Sequence, residues 1–153
     1  MKILWIDDDA YDLKYLLHNL ESDSFSVEQV DNLPEAYDIL KTRGNSFSLI
    51  VLDLLMPKTD KYGQIPEWLH QETAYGEHGI ILLERIRQEI STEIIVVILS
   101  IVGAGVIKDL NLEQYHPVEV IRKTPGNINI IESKIKKILK TGIIQQSDVE
   151  IME

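Results

Sequence analysis

The sequence predicts an α/β fold: a doubly wound sheet of five parallel strands with helices on both faces. Three observations predict it. Short apolar runs alternate with segments of helical period from one end of the chain to the other. Three of those runs are continuous stretches of Ile, Val and Leu, the composition of strands covered on both faces. The two patterns alternate one for one, which calls for crossover helices rather than hairpins.

The elements follow in order. Residues 2–6 form the first strand, so the chain enters the core almost at once. Leu13, Leu16, Leu17 and Leu20 stand at i, i+3, i+4 and i+7, a core stripe on one helix face. Residues 25–30 give the second strand. Ala36, Ile39 and Leu40 mark a second helix after Pro34, a residue suited to a first helical turn. Residues 47–52 form the third strand, and Leu82, Leu83, Ile86 and Ile90 define the third helix. The fourth strand is 94–99. A weaker helical pattern around 106–110 follows Gly103 and Gly105. The fifth strand is 118–121. The last helix carries Ile128, Ile131, Ile135 and Ile138 on one side, with Gly142 placed to stop it.

At 153 residues the chain has the size of one domain, and with 44% hydrophobic residues it can bury a core. We divide it into a domain at 1–141, with an insertion at about 57–78, and a polar, acidic C-terminal tail at 142–153. The absence of cysteine excludes disulfides and thiolate metal sites and fits a reducing compartment. The apolar N-terminal run is too short for a signal peptide or a membrane span, so the expected location is cytoplasmic, with no membrane partner. A net charge of −10 argues against nucleic-acid binding, which needs clustered cations. The one basic cluster, Lys134, Lys136, Lys137 and Lys140, has the spacing of a solvated helix face.

In open parallel sheets, chemistry gathers outside the carboxyl ends of the strands. There the first strand delivers Asp7, Asp8 and Asp9, the third Asp53, the fourth Ser100, and Lys123 follows the fifth. Asp9 serves equally well as a helix N-cap. Neighbouring carboxylates with ordinary pKa values near ~3.9 are all charged at neutral pH. At an effective dielectric of about 20, each close pair costs on the order of a few kcal/mol. A hard divalent cation offsets that cost, and Mg²⁺ suits a site of few carboxylates completed by water and phosphate oxygens. Such a site fits phosphoryl transfer to Asp53 as nucleophile, with Lys123 neutralising phosphoryl charge and Ser100 donating to a phosphoryl oxygen.

The chain resembles the receiver domain of two-component response regulators. The resemblance rests on Ile3-Leu4-Trp5-Ile6-Asp7-Asp8-Asp9, Val51-Leu52-Asp53-Leu54-Leu55-Met56-Pro57, Leu99-Ser100 and Lys123-Thr124-Pro125, with Leu82-Leu83-Glu84-Arg85-Ile86-Arg87 similar to that family's third helix. It implies a flavodoxin-like (βα)5 fold with strand order 2-1-3-4-5. It also implies Asp53 as phosphoacceptor, Asp8 as direct Mg²⁺ ligand, Asp7 as a ligand directly or through water, and the backbone carbonyl of Leu55 as a further ligand. Ser100 becomes the switch hydroxyl and Lys123 the phosphate-binding lysine. The implied partners are a histidine kinase or phosphotransfer protein as donor and a downstream protein target, contacted through the face of the fourth helix, fifth strand and fifth helix.

Four features depart from the family pattern. Ile101 follows Ser100 where the family has a small residue that admits the phosphoryl group. Val120 stands where a switch aromatic is usual. Thr124 separates the family's Lys-Pro pair, which puts the usual cis peptide in question. The connection from Met56 to His78 far exceeds the ordinary ~4–6 residues. Within it Pro66 is placed to start a short helix, and Trp68 suggests packing over the site or docking of a partner. His70 and His78 read as solvated loop residues, and His18 and His116 carry no functional signal.

Two other function classes share parts of this pattern. A non-switching pseudo-receiver, acting as an interaction module, is favoured by Ile101, Val120 and the insertion and disfavoured by Asp8, Asp53 and Lys123. A haloacid-dehalogenase-like phosphatase needs a second Asp two positions after the nucleophile, where this chain has Leu55, so the expected protein is not an enzyme. Flavin binding lacks a phosphate-cradling loop after the first strand.

Overall fold

Strand and helix alternate through the chain: β1 (Lys2–Ile6), α1 (Lys14–Ser22), β2 (Ser26–Val30), α2 (Leu33–Arg43), β3 (Leu49–Asp53), α3 (Gly79–Arg85), β4 (Ile95–Ser100), α4 (Ala104–Leu110), β5 (Val118–Arg122) and α5 (Ile128–Thr141). The structure, a computed structural model, describes residues 1–8, 14–22, 25–124, 126 and 128–142, without the side chains of Tyr15 and Ser22. Readings that fall on Asp9, Leu13, Pro125 and residues 143–153 lie outside the described residues. The five strands make one parallel sheet, as the sequence pattern predicts, in the order β2-β1-β3-β4-β5 that the resemblance implies. No helix among the described residues is long and apolar enough to cross a membrane.

Because side chains alternate along a strand, each strand feeds two cores. Ile3, Trp5, Val51, Val97 and Ile121 meet α1 and α5 through Leu16, Leu20, Ile131 and Ile135. Leu4, Ile6, Leu52, Ile98 and Val120 meet α2, α3 and α4 through Leu40, Leu82 and Ile107. This double burial is why the strands read as unbroken apolar runs rather than as alternating ones. Val120, in the position expected of an aromatic, is buried in the second of these cores.

The helix ends have local causes. The Asn32 carboxamide oxygen accepts the Glu35 N–H at 2.9 Å and so caps α2, with Pro34 in the first turn. Helix α3 widens into a π turn over Ile86–Ile90, which closes with Ser91 N–H on the Ile86 carbonyl at 2.8 Å. Gly142 ends α5 with φ 67° and donates to the Ile138 carbonyl at 2.8 Å. Lys137 and Lys140 lie exposed on α5, opposite its buried isoleucines.

The long connection between β3 and α3 is built onto the domain. A single 3-10 turn, Glu67–Leu69, follows Pro66 and buries Leu69 completely in the α2/α3 core. The ring of Trp68 stands 4.9 Å from that of Tyr37 on α2, and the Arg85 guanidinium of α3 lies 5.1 Å over Trp68 and 5.4 Å over Tyr37. Glu89 closes the cluster by accepting from Tyr37 at 2.6 Å and from Arg85 at 2.8 Å. Trp68 therefore packs on α2 and α3, against Tyr37 and Arg85. Trp68→Ala is expected to cost about 2 kcal/mol, less than the loss of a fully buried Trp, because the residue is only partly buried. Urea unfolding measures it, and an unchanged midpoint would mean that the connection contributes no packing energy.

Candidate functional site

All five strands run in one direction, so their carboxyl ends lie on one edge of the sheet. Asp7 continues β1, its N–H bonded to the Val30 carbonyl at 3.0 Å, and its side chain is buried. Asp8 follows and is exposed. Asp53 is the last residue of β3 and only 7% exposed. Carboxylate oxygens of these three residues lie within 4.8 Å of one another. Lys123 follows β5, held by its N–H on the Ser100 carbonyl at 3.0 Å. Its ammonium reaches Asp7 Oδ2 at 3.0 Å and Asp53 Oδ2 at 3.6 Å. The edge thus gathers Asp7, Asp8, Asp53 and Lys123 in one constellation.

Ser100 is fully buried one residue beyond Leu99, the register partner of Asp53. Its Oγ accepts the Val102 N–H at 3.1 Å, which leaves the hydroxyl proton available for another acceptor. Ile101 is 62% exposed at the mouth of this edge. Among the described residues a cis peptide occurs at His116–Pro117 and not after Lys123.

The turn that carries Asp53 is fixed by short bonds. The Leu55 N–H donates to Asp53 Oδ1 at 3.0 Å, and the Met56 N–H to the Leu54 carbonyl at 2.9 Å. The end of the long connection grips the same turn. Gly79 N–H donates to the Leu54 carbonyl at 2.9 Å, and His78 Nδ1 lies 2.8 Å from the Met56 carbonyl. Sequence reasoning misses both residues. His78 is a half-buried member of the fold, which corrects its reading as a solvated loop residue. At Gly79 a Cβ would stand 2.6 Å from the Asp53 carbonyl oxygen and 2.9 Å from Leu54 Cα, so a side chain does not fit there. A glycine opening an apolar helix, where other residues favour the helix more, is the one signal that could have found it.

Charge is the dominant property of this edge. Burial first, and then the neighbouring Asp7, push the Asp53 carboxyl from the ordinary 3.8 up to about 6, against the Leu55 N–H and Lys123, which pull it down. Three carboxylates against the Lys123 ammonium leave a negative surplus. Oxygen donors of this kind fit a hard divalent cation such as Mg²⁺, with Asp7, Asp8 and Asp53 able to hold it. The Leu55 carbonyl sits in the same turn and is a candidate further ligand.

No protein-family model and no curated protein sequence matches the chain. Solved structures do. The non-phosphorylated HemR receiver domain from Leptospira biflexa shares 24% identity over 94% of this chain and 98% of its own, with a TM-score of 0.67. A CheY-like response regulator receiver domain protein from Methanospirillum hungatei shares 20% over 91% and 93%, at 0.66. A response regulator receiver domain protein from Clostridium thermocellum shares 22% over 92% and 95%, at 0.64. The likeness establishes the fold: this chain has the fold of response-regulator receiver domains.

The raised Asp53 carboxyl sets a pH dependence in the metal-free protein. Its native pKa of about 6 lies above the ordinary 3.8, so the native state binds the proton more tightly than the unfolded chain between those values. Protonated Asp53 therefore favours the native state at low pH, and that benefit is lost as pH rises through about 6. In Asp53→Asn the loss is absent. In EDTA, the stability of Asp53→Asn relative to the wild type is expected to rise between about pH 4 and pH 7, by an amount on the order of 3 kcal/mol. Denaturant titrations at several pH values measure this, and a difference that stays flat would contradict it.

Proposed function

We propose that the chain is a phosphoaccepting receiver that takes a phosphoryl group on Asp53 with Mg²⁺ at the carboxylate edge, and that signals through protein contacts in the cytoplasm. The observation that carries the reading is the joint placement of Asp7, Asp8, Asp53 and Lys123 within a receiver fold. The donor is a phosphohistidine on a kinase or phosphotransfer protein. The chain is then the acceptor in a relay and not an enzyme acting on a small molecule.

In the transfer, an Asp53 carboxylate oxygen forms a bond to phosphorus while the P–N bond to the donor imidazole breaks. The bonding pair returns to the imidazole nitrogen, and Asp53 becomes an acyl phosphate. The cation supplies charge neutralisation at the phosphoryl oxygens. Lys123 bridges Asp7 and Asp53, which puts its ammonium within reach of a phosphoryl group on Asp53. The Leu55 N–H on Oδ1 orients the acceptor carboxylate. The buried Ser100 hydroxyl is suited to donate to the new group, a contact that would draw on the segment following β4.

A second reading, a receiver fold that no longer switches and serves as an interaction module, is favoured by Val120, a small buried side chain where an aromatic readout is expected. One experiment separates the two. With acetyl phosphate and Mg²⁺, intact-mass spectrometry should detect one added phosphoryl group on the wild type and none on Asp53→Asn or without Mg²⁺. Lys123→Ala should lower the labelling rate at least about tenfold, by analogy with the loss of a single charge-stabilising group. A wild type that stays unlabelled with Mg²⁺ bound would favour the interaction module.

A further inference from the structure

We propose that His78 is a positioning residue for the cation site: its ring N–H holds the turn that contains the Leu55 carbonyl, and so the far end of the long connection sets the divalent-cation affinity. The inference rests on the phosphoacceptor reading above and deepens it.

The partner of His78 fixes its tautomer. A backbone carbonyl accepts and cannot donate, so Nδ1, 2.8 Å from the Met56 oxygen, carries the proton. The residue is well placed to hold that geometry. Its N–H donates to the Gly76 carbonyl at 2.9 Å, and its own carbonyl accepts from Ile81 N–H at 3.0 Å as α3 begins. Glu77 beside it is buried and accepts the Tyr75 N–H at 2.7 Å.

The turn it holds is short. The Leu54 carbonyl accepts from Met56 and Gly79, and the Met56 carbonyl accepts from His78. Between these two lies the Leu55 carbonyl, on which no hydrogen bond falls among the described residues. Both Leu54 and Met56 are buried, so the two flanking peptide groups are locked by packing as well as by bonds. The Leu55 N–H holds the Asp53 carboxylate on one side of Leu55; releasing the Met56 carbonyl would free the other side and let the Leu55 carbonyl turn away from that carboxylate. Partners that orient a metal ligand are typically worth about 10–100-fold in metal affinity.

The test uses substitutions that differ in where they present a donor. In His78→Asn the amide nitrogen occupies the Nδ1 position and restores the bond. His78→Leu has nearly the same shape as the Asn variant and no donor. His78→Gln stays polar but carries its nitrogen out to the Nε2 position. Titration calorimetry of the full chain with MgCl₂ at neutral pH gives the dissociation constants, and thermal melts in EDTA report metal-free stability. We expect about tenfold weaker Mg²⁺ binding in His78→Leu and His78→Gln, and binding within about threefold of the wild type in His78→Asn. Equal affinity in all four proteins, or an equal loss in all three variants, overturns the inference. A wild type that binds no Mg²⁺ overturns the phosphoacceptor reading itself, and this inference with it.

Discussion

The structure turns on a concentration of like charge. Three carboxylates share a space 4.8 Å across, and Lys123 meets two of them. Charges at such distances interact by several kcal/mol at the dielectric of a protein surface. The fold holds them there because each is the terminal residue of a strand, or follows one, whose body is locked in the core. Asp53 is anchored by Leu49–Asp53, buried along its whole length. Its raised carboxyl pKa records the cost: the native state keeps on Asp53 a proton that the same group would release more readily in water. A site poised against its own charge is ready to accept a cation, and the phosphoryl chemistry proposed here, which adds further negative charge at Asp53, depends on that cation and on Lys123.

The rest of the architecture bears that load. Parallel pairing gives every strand end the same direction, and register brings Leu99 opposite Asp53 so that Ser100 comes next on the neighbouring strand. The Lys123 N–H on the Ser100 carbonyl then ties the end of β5 to the end of β4. A slip of one residue in either strand would turn the functional side chain to the other face of the sheet. The two apolar cores prevent that slip, since alternate residues of β1, β3 and β4 belong to different layers and neither set tolerates exposure.

What the sequence made legible follows from how each feature is encoded. The strands are continuous apolar runs, and the helices α2, α3 and α5 repeat at 3.6 residues; both are local signals, and their ends shift by only a few residues in the structure. Asp53 and Ser100 are legible because they follow such runs directly, and Lys123 because it comes one residue further on, after Arg122. The long connection is not, because its contacts are distant in sequence. His78 bonds Met56 across 22 positions, and Trp68 packs on Tyr37 and Arg85, which belong to different helices. A histidine in a polar stretch looks the same whether it is solvated or bonded to a carbonyl. The Asn32 cap is hard to read for a simpler reason: Pro34, two residues on, already marks the helix start.

The same distance in sequence gives the connection its physical interest. A loop of this length costs little more closure entropy than a short one, so length alone would be tolerated anywhere on the surface. Here the loop is instead committed at both ends and in the middle. It leaves from the Asp53 turn, sinks Leu69 into the core beneath α2 and α3, and returns to the same turn through Gly79, where only a hydrogen atom fits against the Asp53 carbonyl. Any displacement of the Trp68 cluster must then be absorbed between Leu69 and Glu77 or passed on to the turn. Glu77 and His78 are both bonded and at least half buried, so the segment next to the turn is the stiffer part. The connection is thus joined to the acceptor turn by the covalent chain and by two hydrogen bonds to its carbonyls.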